Sequence, residues 1–125
     1  LKWLKRLAED ADAPRYDLVI CDPPKYAPSV KDLRRATPKY RQLNELALRA
    51  TAPGGLLLTC TCSAAMSGLG GGGVRGGFVA VLREAAARAG RSVLVLGVHG
   101  AAMDHAVSPD QSDSSYLTAV LLHVD

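Results

Sequence analysis

Asp22-Pro23-Pro24-Lys25 directly follows the apolar run Leu18-Val19-Ile20-Cys21, and Thr61-Cys62-Ser63 closes a second run, Gly55-Leu56-Leu57-Leu58-Thr59-Cys60. A carboxylate offers a negative charge and several acceptor positions, and a thiol becomes a strong nucleophile once ionised. Both apolar runs read as strands, and in an open α/β sheet ligands bind at the carboxyl ends of the strands. Adjacent strands would bring the acid Asp22 and the thiol Cys62 together, a pairing that suits nucleophilic chemistry on a nucleobase.

The neighbouring residues extend this candidate site. Pro23 and Pro24 stiffen the backbone just past the strand and lack amide donors, so they form an apolar ledge against which an extruded base could lie. Lys25 could pair with a phosphate or favour the ionised thiol. Tyr26 is a candidate stacking ring, with a rim residue packed on the following loop as the alternative. Cys60, two residues before Cys62, and Cys21, inside its strand, read as core thiols. A metal site built from Cys21, Cys60, Cys62 and His105 is disfavoured, because Cys-x-Cys without a second pair is a weak zinc spacing. His99 and His123 fall at strand ends and read as surface or satisfied core histidines.

These residues need a scaffold. Residues 1 to about 10 carry Leu1, Leu4 and Leu7 at helical spacing, and Ala13-Pro14 ends that pattern before a strand at about 17 to 22. Ala27 to Pro38, with Lys31, Arg34 and Arg35, reads as a basic loop beside the site, followed by a helix from Tyr40 to about Ala52. Pro53-Gly54-Gly55 supplies a stop and turn before a strand over 55 to 62. Gly68 to Gly77 is glycine-dense and reads as a flexible loop rather than a phosphate cradle. It follows the wrong strand for a dinucleotide fingerprint and lacks the acidic partner.

A helix over Phe78 to Ala89, a strand over Ser92 to Val98, a polar connection and a strand over Tyr116 to Val124 complete the pattern. Alternation of strands and helices predicts an α/β fold with a parallel sheet and right-handed crossovers, its last two strands antiparallel. Helices over both faces and one open, apolar sheet edge make this half of a Rossmann-like sheet, and the complement is expected before Leu1.

The 125 residues, 48% of them hydrophobic, suffice for one domain with a buried core. Fifteen Lys and Arg against 12 Asp and Glu leave a net charge of +3, compatible with a polyanionic partner but too small to argue for one. Three cysteines do not make a disulfide framework, and neither a signal sequence nor a membrane-spanning stretch is apparent, so a cytoplasmic setting without membrane contact is the default expectation. The start on Leu1, inside an amphipathic pattern, reads as a fragment of something longer.

Tyr16 to Tyr26, Tyr40-Arg41-Gln42-Leu43-Asn44 with Ala47, and Gly54 to Ser63 together resemble the class I S-adenosylmethionine (SAM)-dependent rRNA methyltransferases, and more narrowly the 23S rRNA cytosine-5 methyltransferases with an N-terminal PUA domain. Asp104-His105, Val107, Asp113 and Tyr116-Leu117 match the tail of that pattern, while Ala106 stands where a proline is usual and Thr118 where a lysine is usual. The resemblance implies that residues 1–125 are the C-terminal part of a class I methyltransferase catalytic domain, with the PUA domain and the cofactor loop upstream. It implies SAM as cofactor, 23S rRNA as partner, no metal, and the option of a homodimer for the full-length protein.

By the same resemblance Cys62 is the thiolate that adds to carbon 6 of cytosine, so that carbon 5 can take the methyl group before a base removes its proton and the thiolate leaves. Asp22 is the catalytic acid at the pyrimidine ring nitrogen and also borders the cofactor. Pro23, Pro24, Lys25, Tyr26 and His105 are the implied substrate contacts, His105 having a structural hydrogen bond as its alternative role. Two other functions remain open: a base-amine methyltransferase that needs no thiol, and a truncated, non-catalytic RNA-binding fragment.

Overall fold

The computed structural model describes residues 2–68, 77–106, 110 and 116–125. The elements run α1 (Lys2–Glu9), β1 (Tyr16–Cys21), a short 3-10 turn (Val30–Asp32), α2 (Leu33–Ala50), β2 (Thr51–Thr61), α3 (Ala64–Gly68), α4 (Gly77–Ala89), β3 (Val93–His99) and β4 (Thr118–Val124). The strands form one sheet in the order β1-β2-β4-β3. β1 and β2 are parallel, and β4 pairs antiparallel with both β2 and β3. This is the expected α/β arrangement with an antiparallel final strand.

Strand alternation sorts the side chains onto two faces. Val19 and Cys21 of β1, Leu57, Thr59 and Thr61 of β2, and Val120, Leu122 and Val124 of β4 point towards α2 and α4, where they are buried or packed on the core. Phe78, Val81, Leu82 and Ala85 of α4 and Tyr40, Ala47 and Leu48 of α2 close over them. On the opposite face Leu18 and Ile20 of β1 and Leu94 and Leu96 of β3 are 55%, 64%, 62% and 57% exposed. Among the described residues the helices therefore cover one face only, which corrects the expectation of helices on both.

Two further boundaries differ from the sequence reading. The stretch read as a basic loop, Ala27 to Pro38, is helical from Leu33 onward, so Arg34 and Arg35 lie on the first turn of α2. Pro38 lies inside α2, one turn past its start, and removes the backbone donor that would meet the Arg34 carbonyl; the preceding Thr37 hydroxyl donates to the Leu33 carbonyl at 2.8 Å. Pro53 and Gly54 lie within β2 rather than ahead of it: the register jumps from Tyr16↔Thr51 to Leu18↔Leu56, and the inserted residues bulge out. Gly54 takes φ +78°, and a Cβ on Gly55 would stand 3.0 Å from the Asp17 carbonyl, so both glycines are required there.

Arg91 fastens the far end of the sheet. Its guanidinium donates to the carbonyls of Leu48 and Thr51 at 3.0 and 2.9 Å and to that of Asp125 at 2.8 Å, joining the end of α2, the start of β2 and the residue after β4.

Candidate active site at the strand tips

β1 and β2 run parallel with Cys21 opposite Thr59, so the chain places Asp22 level with Cys60 and ends both strands at the same side of the molecule. Cys60 belongs to the uncovered face, together with Leu56 and Leu58, and is partly exposed. This corrects its reading as a core thiol. Its pKa is raised, chiefly by burial and then by the charges of Asp22 and Cys62. By register Asp22 and Cys60 share one end of the open face, and Cys62 follows just past the end of β2. Cys21 is on the other face: it is buried, as expected, and burial pushes its pKa up to about 11 although the Thr59 hydroxyl partly offsets that.

Asp22 is exposed, and Cys62, just past the end of β2, is half-buried. The two prolines divide their roles, Pro23 being buried and Pro24 exposed. Both line a cleft of about 380 Å³ with Asp22, Trp3, Ile20 and Tyr26. Lys25 is exposed. Tyr26 is half-buried, its ring edge-on to Tyr40 at 5.0 Å and beneath Lys39 Nζ at 5.8 Å. That packing fits the rim alternative better than a free stacking ring.

His105 is exposed and stacks edge-on against Tyr116, with centroids 5.1 Å apart. Tyr116 leads into β4, whose first residue Thr118 pairs with Thr61, so His105 stands on the Cys62 side of the sheet. The Tyr116 carbonyl accepts from Ser67 Oγ at 3.1 Å, and Thr118 Oγ1 donates to Ser67 Oγ at 2.7 Å, which turns Thr118 towards α3. Most of the glycine-dense stretch, residues 69–76, lies outside the described residues, as do Val107 and Asp113.

Polar groups beneath the tips, without an assigned role in the sequence reading, hold the two loops. Tyr40 is fully buried; its Oη accepts from the Tyr26 backbone N–H at 3.2 Å and from Thr61 Oγ1 at 3.0 Å. Ser63 Oγ donates to the Ala27 carbonyl, and the Ser63 N–H donates to Thr61 Oγ1 at 3.3 Å. One step deeper, Thr59 Oγ1 donates to Asn44 Oδ1 at 2.6 Å while Asn44 Nδ2 donates to the Tyr40 carbonyl at 2.8 Å. The usable signal was spacing: Tyr40 and Asn44 are four apart on a helix, and Thr59 and Thr61 two apart on a strand, so each pair shares a face. Among the described residues no group of three or more His, Cys, Asp or Glu is arranged to hold a metal ion, and no helix is long and apolar enough to cross a membrane.

Solved structures share this fold. A solved structure described as a SAM-dependent methyltransferase from Streptococcus mutans superposes on 98% of this chain with a TM-score of 0.64 at 20% identity, the match taking in 27% of that chain. A second, described as a methyltransferase complexed with SAH, superposes on 98% with a TM-score of 0.61 at 21% identity. In sequence the chain is similar to proteins named ribosomal RNA large subunit methyltransferase I: 32% identical over 121 residues to that of Aeromonas hydrophila subsp. hydrophila, 34% over 114 residues to that of Pseudoalteromonas atlantica, and 36% over 103 residues to that of Vibrio vulnificus. The first alignment takes in 97% of this chain and 28% of the relative, so the chain spans under a third of the length of the curated proteins it matches. No protein-family model matches it.

Proposed function

We infer that the chain forms the C-terminal part of the catalytic domain of a SAM-dependent methyltransferase that acts in the cytoplasm on large-subunit (23S) rRNA and makes 5-methylcytosine, joined in the full-length protein to a PUA domain and the cofactor loop. The observation that carries the reading is the parallel register of β1 and β2, which sets Asp22 beside Cys60 with Cys62 just beyond. The names of the relatives, aligned over nearly the whole chain, support the substrate class.

The residues present fit one wall of a SAM site. Asp22 offers an exposed carboxylate able to accept from a cationic or amine group, and the apolar cleft with Pro23 and Pro24 adjoins it. SAM, when bound, supplies an electrophilic methyl group on a sulfonium. The chain's own part is to activate the base. Carbon 5 of cytosine is a poor nucleophile, so Cys62 Sγ adds to carbon 6 and turns carbon 5 into an enamine carbon. Asp22 holds the ring nitrogen and stabilises its protonated form through a charge-assisted hydrogen bond. After transfer a base takes the carbon 5 proton and the thiolate departs. Lys25, exposed three residues after Asp22, would meet a phosphate.

In the full-length protein Cys62→Ser is expected to drop methylation to background, and 5-fluorocytosine RNA is expected to trap a covalent adduct on the wild type. Retained methylation by the Ser variant with no trapped adduct would instead indicate transfer to a base amine, a route that uses Asp22 and the prolines without a thiol.

A further inference from the structure

The geometry points to Tyr40 as the positioning residue that fixes how far apart the two strand tips stand, and hence whether Asp22 and Cys62 can address one pyrimidine. The inference rests on the roles proposed above for those two residues. Tyr26 lies four residues past Asp22 in a loop whose only regular feature is its two prolines, and Thr61 immediately precedes Cys62. Oη of Tyr40 takes one hydrogen bond from each, at 3.2 and 3.0 Å, and is fully buried in doing so. A second crossing runs beside it, from Ser63 Oγ to the Ala27 carbonyl, so Cys62 is flanked by two ties and the loop after Asp22 is held at Tyr26 and Ala27. The sheet hydrogen bonds cannot do this, since the parallel pairing of β1 with β2 ends at Cys21↔Thr59, before either tip.

The ring itself is held independently of its hydroxyl. It packs edge-on against Phe78 of α4, at 5.9 Å. Oη is therefore a fixed point, and the loops are referred to it. The Asn44–Thr59 rung is equally buried but hydrogen-bonds to neither loop, which makes it a built-in control.

Tyr40→Phe keeps the ring and removes only the shared oxygen; Thr61→Val removes one of its two donors; Thr59→Val breaks the lower rung. In the full-length protein Tyr40→Phe is expected to lower kcat by about 10- to 100-fold, the scale on which a misplacement of about 1 Å acts, with KM for RNA and for SAM within about threefold of wild type. Thr61→Val follows in the same direction, whereas Thr59→Val lowers the melting temperature comparably but leaves kcat within about threefold. Amide hydrogen exchange provides a readout that does not pass through the reaction: the Tyr26 N–H is expected to exchange at least about tenfold faster in Tyr40→Phe, with β3 and β4 amides unchanged. A wild-type kcat in Tyr40→Phe, an equal kcat loss in Thr59→Val, or an unaltered Tyr26 amide overturns the assignment. If instead Cys62→Ser methylates normally, the proposed reaction fails, and the exchange measurement still reports whether Tyr40 ties the loops.

Discussion

On the helix-facing side of the sheet Leu57, Val120, Leu122 and Val124 are fully buried, whereas on the other side Ile20 and Leu94, equally apolar, are more than half exposed. The covered side carries a close-packed core and the polar rungs from Tyr40 and Asn44; the bare side carries leucine, isoleucine and, at its tip, Asp22 and Cys60 with Cys62 just beyond. The difference separates two jobs that the same alternation performs. One set of side chains locks the sheet to α2 and α4, and the other is presented outward. An exposed apolar surface of this kind marks a place for something else to sit.

The contrast can be broken by substitution. Leu57→Ala, in the middle of the covered face, is expected to destabilise the chain by about 2–5 kcal/mol in denaturant unfolding, through lost contacts and the cavity left behind. A second effect is alkaline. Burial holds the Cys21 thiol protonated to about pH 11 in the folded chain, while the unfolded thiol ionises near its ordinary value of 9.0. Above that value the unfolded state gives up a proton that the folded state keeps, so stability is complete below about pH 9 and falls up to about pH 11, by at most about 1.4 kcal/mol per pH unit. Unfolding curves between pH 8 and 11 check this, and Cys21→Ala is expected to remove that part of the slope. The smallest effect belongs to the bare face: Ile20→Lys in the isolated chain is expected to change stability by no more than about 0.5 kcal/mol. A loss approaching that of Leu57→Ala would mean that this face is not bare in solution.

Much of this arrangement was legible in the residues. The uninterrupted apolar runs mark four strands, the stripe Phe78, Val81, Leu82 and Ala85 marks α4, and the polar connection read from the sequence between β3 and β4 implies their antiparallel pairing. Asp22 and Cys62 were placed at strand tips because each follows such a run. Coverage of the faces was not legible: Leu18-Val19-Ile20-Cys21 has apolar residues on both sides, and an all-apolar run carries no period to say which side meets a helix. The same holds for Cys60, whose exposure depends on what lies over Leu56 and Leu58. The start of α2 is hidden because Pro38 reads as a break, whereas the helix runs through it from Leu33. Tyr40 was seen as part of a motif but not as a link, since its two hydrogen-bond partners lie 14 and 21 residues away.

β4 is the last of the four strands to be synthesised, yet it lies inside the sheet, bonded to β2 on one side and β3 on the other. While residues 118–124 are still unmade on the ribosome, β2 and β3 have no contact with each other, and β2 shows a free apolar edge. The fold thus closes from its middle and late, with the nascent chain depending on protection of that edge until the final strand slots in.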